Sequence, residues 1–187
     1  MMLLPEHLGG HCNRTHLDEG VLDFLIQNYH ISSMLDVGCA TGGMVELAKS
    51  KGLRAHGIEG DHTINFVDPT AITVHDFTTG PALISDSFDL VWCCAFVEHV
   101  EERFVENFMA AFRLGQIVIM TYYELPGHHH VNLKPPSYWI SVMHQNGFTH
   151  DFDLTQQIRT HTTMGQKGAR WSKKAWIRHY GLAFVKS

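Results

Sequence analysis

The sequence predicts an α/β protein built on a doubly wound, mostly parallel sheet of the seven-stranded type, with its last strand antiparallel. Three observations carry that expectation. Short apolar runs alternate with amphipathic stretches over the first 150 residues, the order expected of strands and crossover helices. A glycine-rich turn, in the stretch MLDVGCATGGM at 34–44, joins the first apolar run to the next amphipathic one. Hydrophobic residues make up 44% of the 187, enough for a full core, and no run approaches the roughly 20 apolar residues that span a bilayer.

The elements follow in order. Leu17, Val21, Leu22, Leu25 and Ile26 share one face at helical spacing, so 17–29 is an amphipathic helix that Thr15 or Asp18 would cap. Residues 33–37 form the first strand. Residues 41–51 form a helix that stops at Gly52. Strands are expected at 53–59, 72–75 and 88–94, the last apolar enough for burial on both faces. A helix over 100–112 leads to a strand at 116–122, and a helix over 137–145 closes at Asn146-Gly147. Final strands are expected at 148–153 and 181–186, with a short helix near 172–179. They have no long crossover helix between them and would pair antiparallel at an edge.

Length and the lack of a long linker suggest one domain over 1–187. It divides into an N-terminal lid and helix (1–30), a central core (33–122) and a loop, helix and basic edge (123–187). Cysteines stand at 12, 39, 93 and 94, without the spacing of a disulfide framework or zinc knuckle. The N-terminus lacks a signal-peptide pattern. A reduced, cytoplasmic protein with no membrane association is expected.

Charge is uneven. The net charge is −5, yet no Asp or Glu follows Asp153, and seven of the fourteen Lys and Arg lie beyond it. Such a basic edge is either a solvated face balancing an acidic body or a contact for an anionic partner. Fifteen histidines are scattered, except for the run His128, His129 and His130.

The glycine turn reads D-x-G-x-A-x-G-G, from Asp36 through Gly38, Ala40 and Gly42 to Gly43. It nearly fits the dinucleotide pattern G-x-G-x-x-G, a weak match by itself. Asp36 is the sharper clue. A carboxylate two residues before the first glycine would repel a pyrophosphate and suits a cationic ligand. Glu59 ends the second strand, where an acidic side chain accepts ribose hydroxyls of either cofactor type. His75-Asp76-Phe77 follows the third strand, where an aspartate can accept an adenine amino group while the next residue packs on the ring.

The order LDVGCATGG, GIEGD, HDF and FDLVWCCAFVEHV resembles class I S-adenosylmethionine-dependent methyltransferases over about residues 33–122. Within them it is most similar to the group holding ubiquinone-pathway O-methyltransferases and many small-molecule enzymes. The resemblance implies that S-adenosyl-L-methionine is the cofactor and S-adenosyl-L-homocysteine the product. By position, Asp36 and Gly38 would line the methionine end, with Cys39, Ala40 and Gly42 of the same turn also among the cofactor-binding residues. Glu59 and Gly60 would take the ribose, and Asp76 and Phe77 would frame the adenine. Cys94 would lie near the methionine portion or the adenine edge. The related enzymes fold the segment before the first strand over the cofactor, where Arg14 would meet the methionine carboxylate.

Two departures matter. Ala40 replaces the usual middle glycine of the turn. Some relatives hold a divalent metal through E-x-x-E-H after the fourth strand; here Ala95 replaces the first glutamate, leaving Glu98 and His99. Two ligands rarely make a site, so no metal is expected.

Methylation of a hydroxyl needs a base for its proton, and histidine suits that role near neutral pH. His99, opening the helix after the fourth strand, is one candidate. His129 and His130 are others, in the loop PGHHHVNLKPPSYW that follows the fifth strand on the cofactor's rim. Its H-H-V-N…P…Y-W order resembles a segment of small bacterial and phage methyltransferases linked to surface saccharides. The D/N/S-P-P-Y/F motif of DNA amino methyltransferases is replaced after the fourth strand by CCAF. The expected activity is O-methylation of a small molecule or saccharide, with an anionic acceptor among the candidates. The alternatives are a nucleic-acid methyltransferase using the basic edge, or a non-catalytic cofactor-binding scaffold. The oligomeric state is open.

Overall fold

The computed structural model describes residues 5–8, 13–165 and 175–187. Seven strands form one sheet: β1 (Ser33–Val37), β2 (Arg54–Glu59), β3 (Ile72–Val74), β4 (Phe88–Cys93), β5 (Gly115–Thr121), β6 (Phe148–His150) and β7 (Gly181–Lys186). Their spatial order is β3-β2-β1-β4-β5-β7-β6. Strands β1 to β5 run parallel, and β7 is antiparallel to both β5 and β6. The doubly wound α/β expectation holds.

Strand residues alternate between two cores. Leu35, Val37, Val91, Cys93, Val118 and Met120 face a cluster with Phe108, Phe112 and Trp139. Met34, Leu90, Trp92, Ile117 and Ile119 face the opposite cluster, with Val21, Leu22, Leu25, Leu154 and Ile158. Burial on both faces is why these strands read as unbroken apolar runs. The covering helices are α1 (Glu19–Tyr29), α2 (Gly43–Ser50), α3 (Val105–Phe112), α4 (Pro136–Gln145), α5 (Phe152–His161) and α6 (Trp176–Tyr180).

One cap is decided, and several boundaries and connections differ from expectation. Of the two caps proposed for α1, Asp18 is the one used, accepting from Val21 N–H at 3.2 Å. Thr15 instead accepts from Gly43 N–H at 3.1 Å, at the start of α2. The helix expected from Val100 begins at Val105; before it lie two single 3-10 turns, Val97–His99 and Glu102–Phe104. Val100 and Glu101 are extended (ψ 123° and 145°), which separates the two turns from each other, and the Glu98 carbonyl accepts from Val131 and Asn132 N–H (2.9 and 3.1 Å), tying the first turn to a distant loop.

The strand expected over 148–153 ends at His150. There Asp151 accepts from Leu154 N–H at 2.8 Å and starts α5. That ten-residue helix lies between two strands where none was expected, and β7 then inserts between β5 and β6. The antiparallel pairing holds, with β6 alone at the edge. The short helix near 172–179 is α6, Trp176–Tyr180; residues 172–174 of that expectation lie outside the described residues, as do Lys167, Arg170, Lys173 and Lys174 of the basic edge.

Candidate active site

A cleft of about 310 Å³ opens at the carboxyl ends of β1, β2 and β4, the position the winding of such a sheet dictates. Asp36, Gly38, Ala40, Glu59, Gly60, Asp76, Phe77, Cys94, His99, His129 and His130 all line it. Arg14 lines it too. Cys39 and Gly42 do not. Cys39 is 1% exposed and packs with Val45 and Ala71 behind the turn, and Gly42 takes the left-handed conformation before α2 (φ +82°).

The turn itself shows what it can hold. Gly38 and Cys39 N–H both donate to the Ile58 carbonyl, at 2.9 and 3.1 Å. Ala40 N–H donates to Glu59 Oε2 at 2.7 Å. Gly42 N–H donates to the Cys39 carbonyl at 2.9 Å, and Gly43 N–H to Thr15 Oγ1. A pyrophosphate needs such donors free at the helix N-terminus. Here they are committed inside the protein, and the acidic Asp36 and Glu59 line the same cleft. The turn suits a ligand without phosphate.

The acidic groups are built for donors. Glu59 Oε1 accepts from Gly60 and Asp61 N–H (2.9 and 3.1 Å), so the carboxylate is held between the ends of β1 and β2. Asp36 is 2% exposed at the floor of the cleft. Burial first, then repulsion from Glu59, pushes its carboxyl well above the usual range. A cationic group arriving beside it would relieve both. Gly38 is forced: it lies at φ +77°, and a Cβ there would sit 2.4 Å from the Phe96 ring.

The methyltransferase domain family matches residues 35–120. Over that central span the chain resembles the class I S-adenosylmethionine-dependent methyltransferases. Among solved structures of that class, three illustrate the likeness. A sugar N-methyltransferase from Streptoalloteichus is 13% identical, with a TM-score of 0.64 over 94% of this chain and 90% of its own. A TehB-like enzyme from Corynebacterium glutamicum is 17% identical, with a TM-score of 0.60 over 91% and 89%. The magnesium protoporphyrin IX methyltransferase of Synechocystis, with bound S-adenosylmethionine, is 14% identical, with a TM-score of 0.57 over 89% and 76%. At these identities the likeness is one of fold. No curated protein gives a significant sequence match.

In this methyltransferase the fold also recruits residues that the motifs do not mark. His7 and Leu8 line the cleft from the N-terminal segment, and His7 Nε2 hydrogen-bonds Asp76 Oδ2 at 2.9 Å. Asp76 Oδ1 accepts from Thr78 N–H at 2.8 Å. Burial alone would raise this carboxyl, but the bonds from His7 and Thr78 hold it below the usual range. The Asp76 carboxylate expected at the adenine thus already has a partner. Thr15 and His16 line the cleft beside the turn, and Tyr123 and Trp176 form an aromatic wall, with ring centroids 4.8 Å apart. Only the chain path could reveal these, because each comes from a segment distant in sequence.

The wall formed by the turn after β4 and the loop after β5 gathers histidines. His99 lies at the end of the Val97–His99 turn rather than at the start of a helix. Burial first, then the neighbouring His130, His128 and His129, hold it down to about 4, so it is neutral at pH 7. Its ring stands 4.9 Å from that of His130. The Cys94 thiol is pushed up, chiefly by burial, which disfavours its thiolate. Glu98, 1% exposed, completes a cluster: ligand atoms of Glu98, His99 and His130 lie within 4.8 Å of one another. Among the described residues no helix is long and apolar enough to cross a membrane.

Proposed function

We propose that this methyltransferase transfers the methyl group of S-adenosylmethionine to a hydroxyl of a small-molecule acceptor, with a saccharide the favoured class. The reading rests on one observation: Asp36, Glu59 and Asp76 at one end, and His99, His129 and His130 at the other, line a single cleft. S-adenosylmethionine supplies an electrophilic methyl on a sulfonium, open to in-line displacement. Asp36 would face the amino group of its methionine part and Arg14 the carboxylate. Glu59, oriented by three backbone donors, would accept from the ribose hydroxyls. Asp76 and Phe77 would frame the adenine, once His7 shares or yields its oxygen.

On the acceptor side the residues position a hydroxyl and receive its proton. His99 is a weak base at a value of about 4, so His129 is the favoured proton acceptor. The chain is read as one domain whose N-terminal segment closes the cleft and whose 123–187 portion presents the acceptor wall. A reduced cytoplasmic setting fits the unpaired Cys39, Cys93 and Cys94. The nucleic-acid reading has less support. Arg159, Arg178 and Lys186, the described cations beyond Asp153, donate to the carbonyls of Gly181, Thr162 and Arg113.

Calorimetric titration with S-adenosylhomocysteine, with NAD as control, tests the cofactor half. Micromolar binding of the first alone supports the reading, and binding of neither overturns it in favour of a scaffold. Methyl transfer from labelled cofactor to a panel of hydroxyl and amine saccharides then tests the acceptor half. Labelling confined to amines would replace O-methylation with N-methylation. A steep loss of oligonucleotide binding with salt would instead favour the nucleic-acid reading.

A further inference from the structure

Three cleft residues form a set that methyl transfer as proposed does not use together. Glu98 and His99 come from the turn after β4, and His130 from the loop after β5. The loop is clamped there by the bonds from Val131 and Asn132 N–H to the Glu98 carbonyl. Ligand atoms of the three lie within 4.8 Å of one another. Bonds of about 2.0–2.1 Å would set them roughly 3–3.5 Å apart around one ion. Rotation of three side chains can supply that closure.

Two further features prepare the histidines as ligands. His130 Nδ1 lies 2.7 Å from the Leu125 carbonyl. A carbonyl only accepts, so Nδ1 carries the proton and Nε2 keeps its lone pair. An outer hydrogen bond of this kind fixes the ring of a metal-binding histidine. Gly127 makes room for that ring: a Cβ there would lie 2.4 to 2.7 Å from three of its atoms. On the other histidine, His99 Nδ1 is buried without a hydrogen-bond partner. A buried lone pair of this kind is costly unless something fills it.

We propose that Glu98, His99 and His130 bind a divalent transition-metal ion on the acceptor side of the cleft, with open coordination positions turned toward the acceptor. Two imidazoles and one carboxylate suit zinc, cobalt, nickel or iron(II) better than magnesium or calcium, which favour all-oxygen shells. Ala95, at the end of β4, offers no fourth ligand, so a bound ion keeps room for exogenous oxygen. An acceptor hydroxyl held there would lose its proton more easily, and His129 stands in the same wall to receive it. That role for the ion rests on the methyltransferase reading; the binding site itself does not.

The test is titration of the tag-free, chelator-treated protein with cobalt(II), read by visible absorption, with zinc(II) competition by calorimetry. The expected result is one equivalent bound tightly, displaced by zinc. His130→Ala and the conservative Glu98→Gln should each weaken binding at least about 10-fold. Gly127→Ala should weaken it by pushing the His130 ring, while His144→Ala, on the exposed end of α4, should bind like the parent. Circular dichroism confirms that each variant is folded. Weak binding at several sites, or equal binding by parent and His130→Ala, overturns the proposal. S-adenosylhomocysteine is titrated separately without metal. Its failure to bind would sink the methyltransferase reading and leave the cobalt result standing on its own.

Discussion

Ala40 N–H donates to Glu59 Oε2 at 2.7 Å, across the ends of two neighbouring strands. One bond thus fixes the glycine turn, removes a donor that a phosphate would need, and orients a carboxylate toward the cleft. Glu59→Ala leaves the N–H groups of Ala40, Gly60 and Asp61 without their acceptor. Affinity for S-adenosylhomocysteine should fall more than about 10-fold, and stability by about 2–3 kcal/mol. Calorimetry and urea denaturation check both; unchanged affinity would remove Glu59 from the site.

Gly38→Ala should damage the site from the opposite direction. The added Cβ meets the Phe96 ring at 2.4 Å, in a backbone conformation that disfavours side chains. Loss of cofactor affinity and a lowered Tm are expected. The double variant with Phe96→Ala should recover part of the loss, as neighbours in contact are non-additive. Strict additivity would mean that the clash is not the cause.

Asp36 gives a pH dependence. Burial, then Glu59, raises its carboxyl well above 3.8 in the folded chain. The folded state therefore holds the proton more tightly than the unfolded one. This contribution to stability declines as pH rises from 3.8 through the raised value, and returns as pH falls. Binding of a cationic ligand runs the other way, since it needs the ionised form. Affinity for S-adenosylmethionine should rise with pH across the ionisation of Asp36. Asp36→Asn should flatten that rise; a slope unchanged in the variant would assign it to another group.

Asp18 joins distant parts of the chain. It caps α1 through Val21 N–H and accepts from Thr163 N–H at 2.9 Å and from the Thr162 hydroxyl, entirely buried. Asp18→Ala removes a cap and leaves buried donors unmatched, at a cost of about 2–4 kcal/mol. Thermal unfolding measures it. A change below about 0.5 kcal/mol, the range of an ordinary surface substitution, would contradict this role.

His129→Ala should lower turnover at least about 100-fold, the scale of general-base catalysis, with S-adenosylhomocysteine affinity within about twofold of the parent. Retained turnover on a true acceptor would exclude His129 as the base.

Strand positions and the gathering of Asp36, Glu59 and Asp76 in one cleft were legible because both follow from local patterns. β1 lies at the bounds expected from its apolar run, and Asp36, Glu59 and Asp76 stand at strand ends that winding must bring together. The errors were failures of local reading where distant segments compete. The helix expected from Val100 starts late because Val100 and Glu101 are extended, beside a turn whose Glu98 carbonyl is tied to Val131 and Asn132 of a distant loop. The strand at 148–153 is cut short by the Asp151 cap, a local signal that a run of mixed polarity hid.

The sequence by itself determined the sheet, its direction and the kind of ligand its first turn accepts, since periodicity, turn chemistry and charge are properties of neighbouring residues. Tertiary structure alone decided the far wall of the cleft. It set His7 on Asp76, brought Trp176 against Tyr123, and added His130 to Glu98 and His99. No spacing along the chain encodes those pairs. They follow from where loops of different strands end once two hydrophobic cores have fixed the sheet between them.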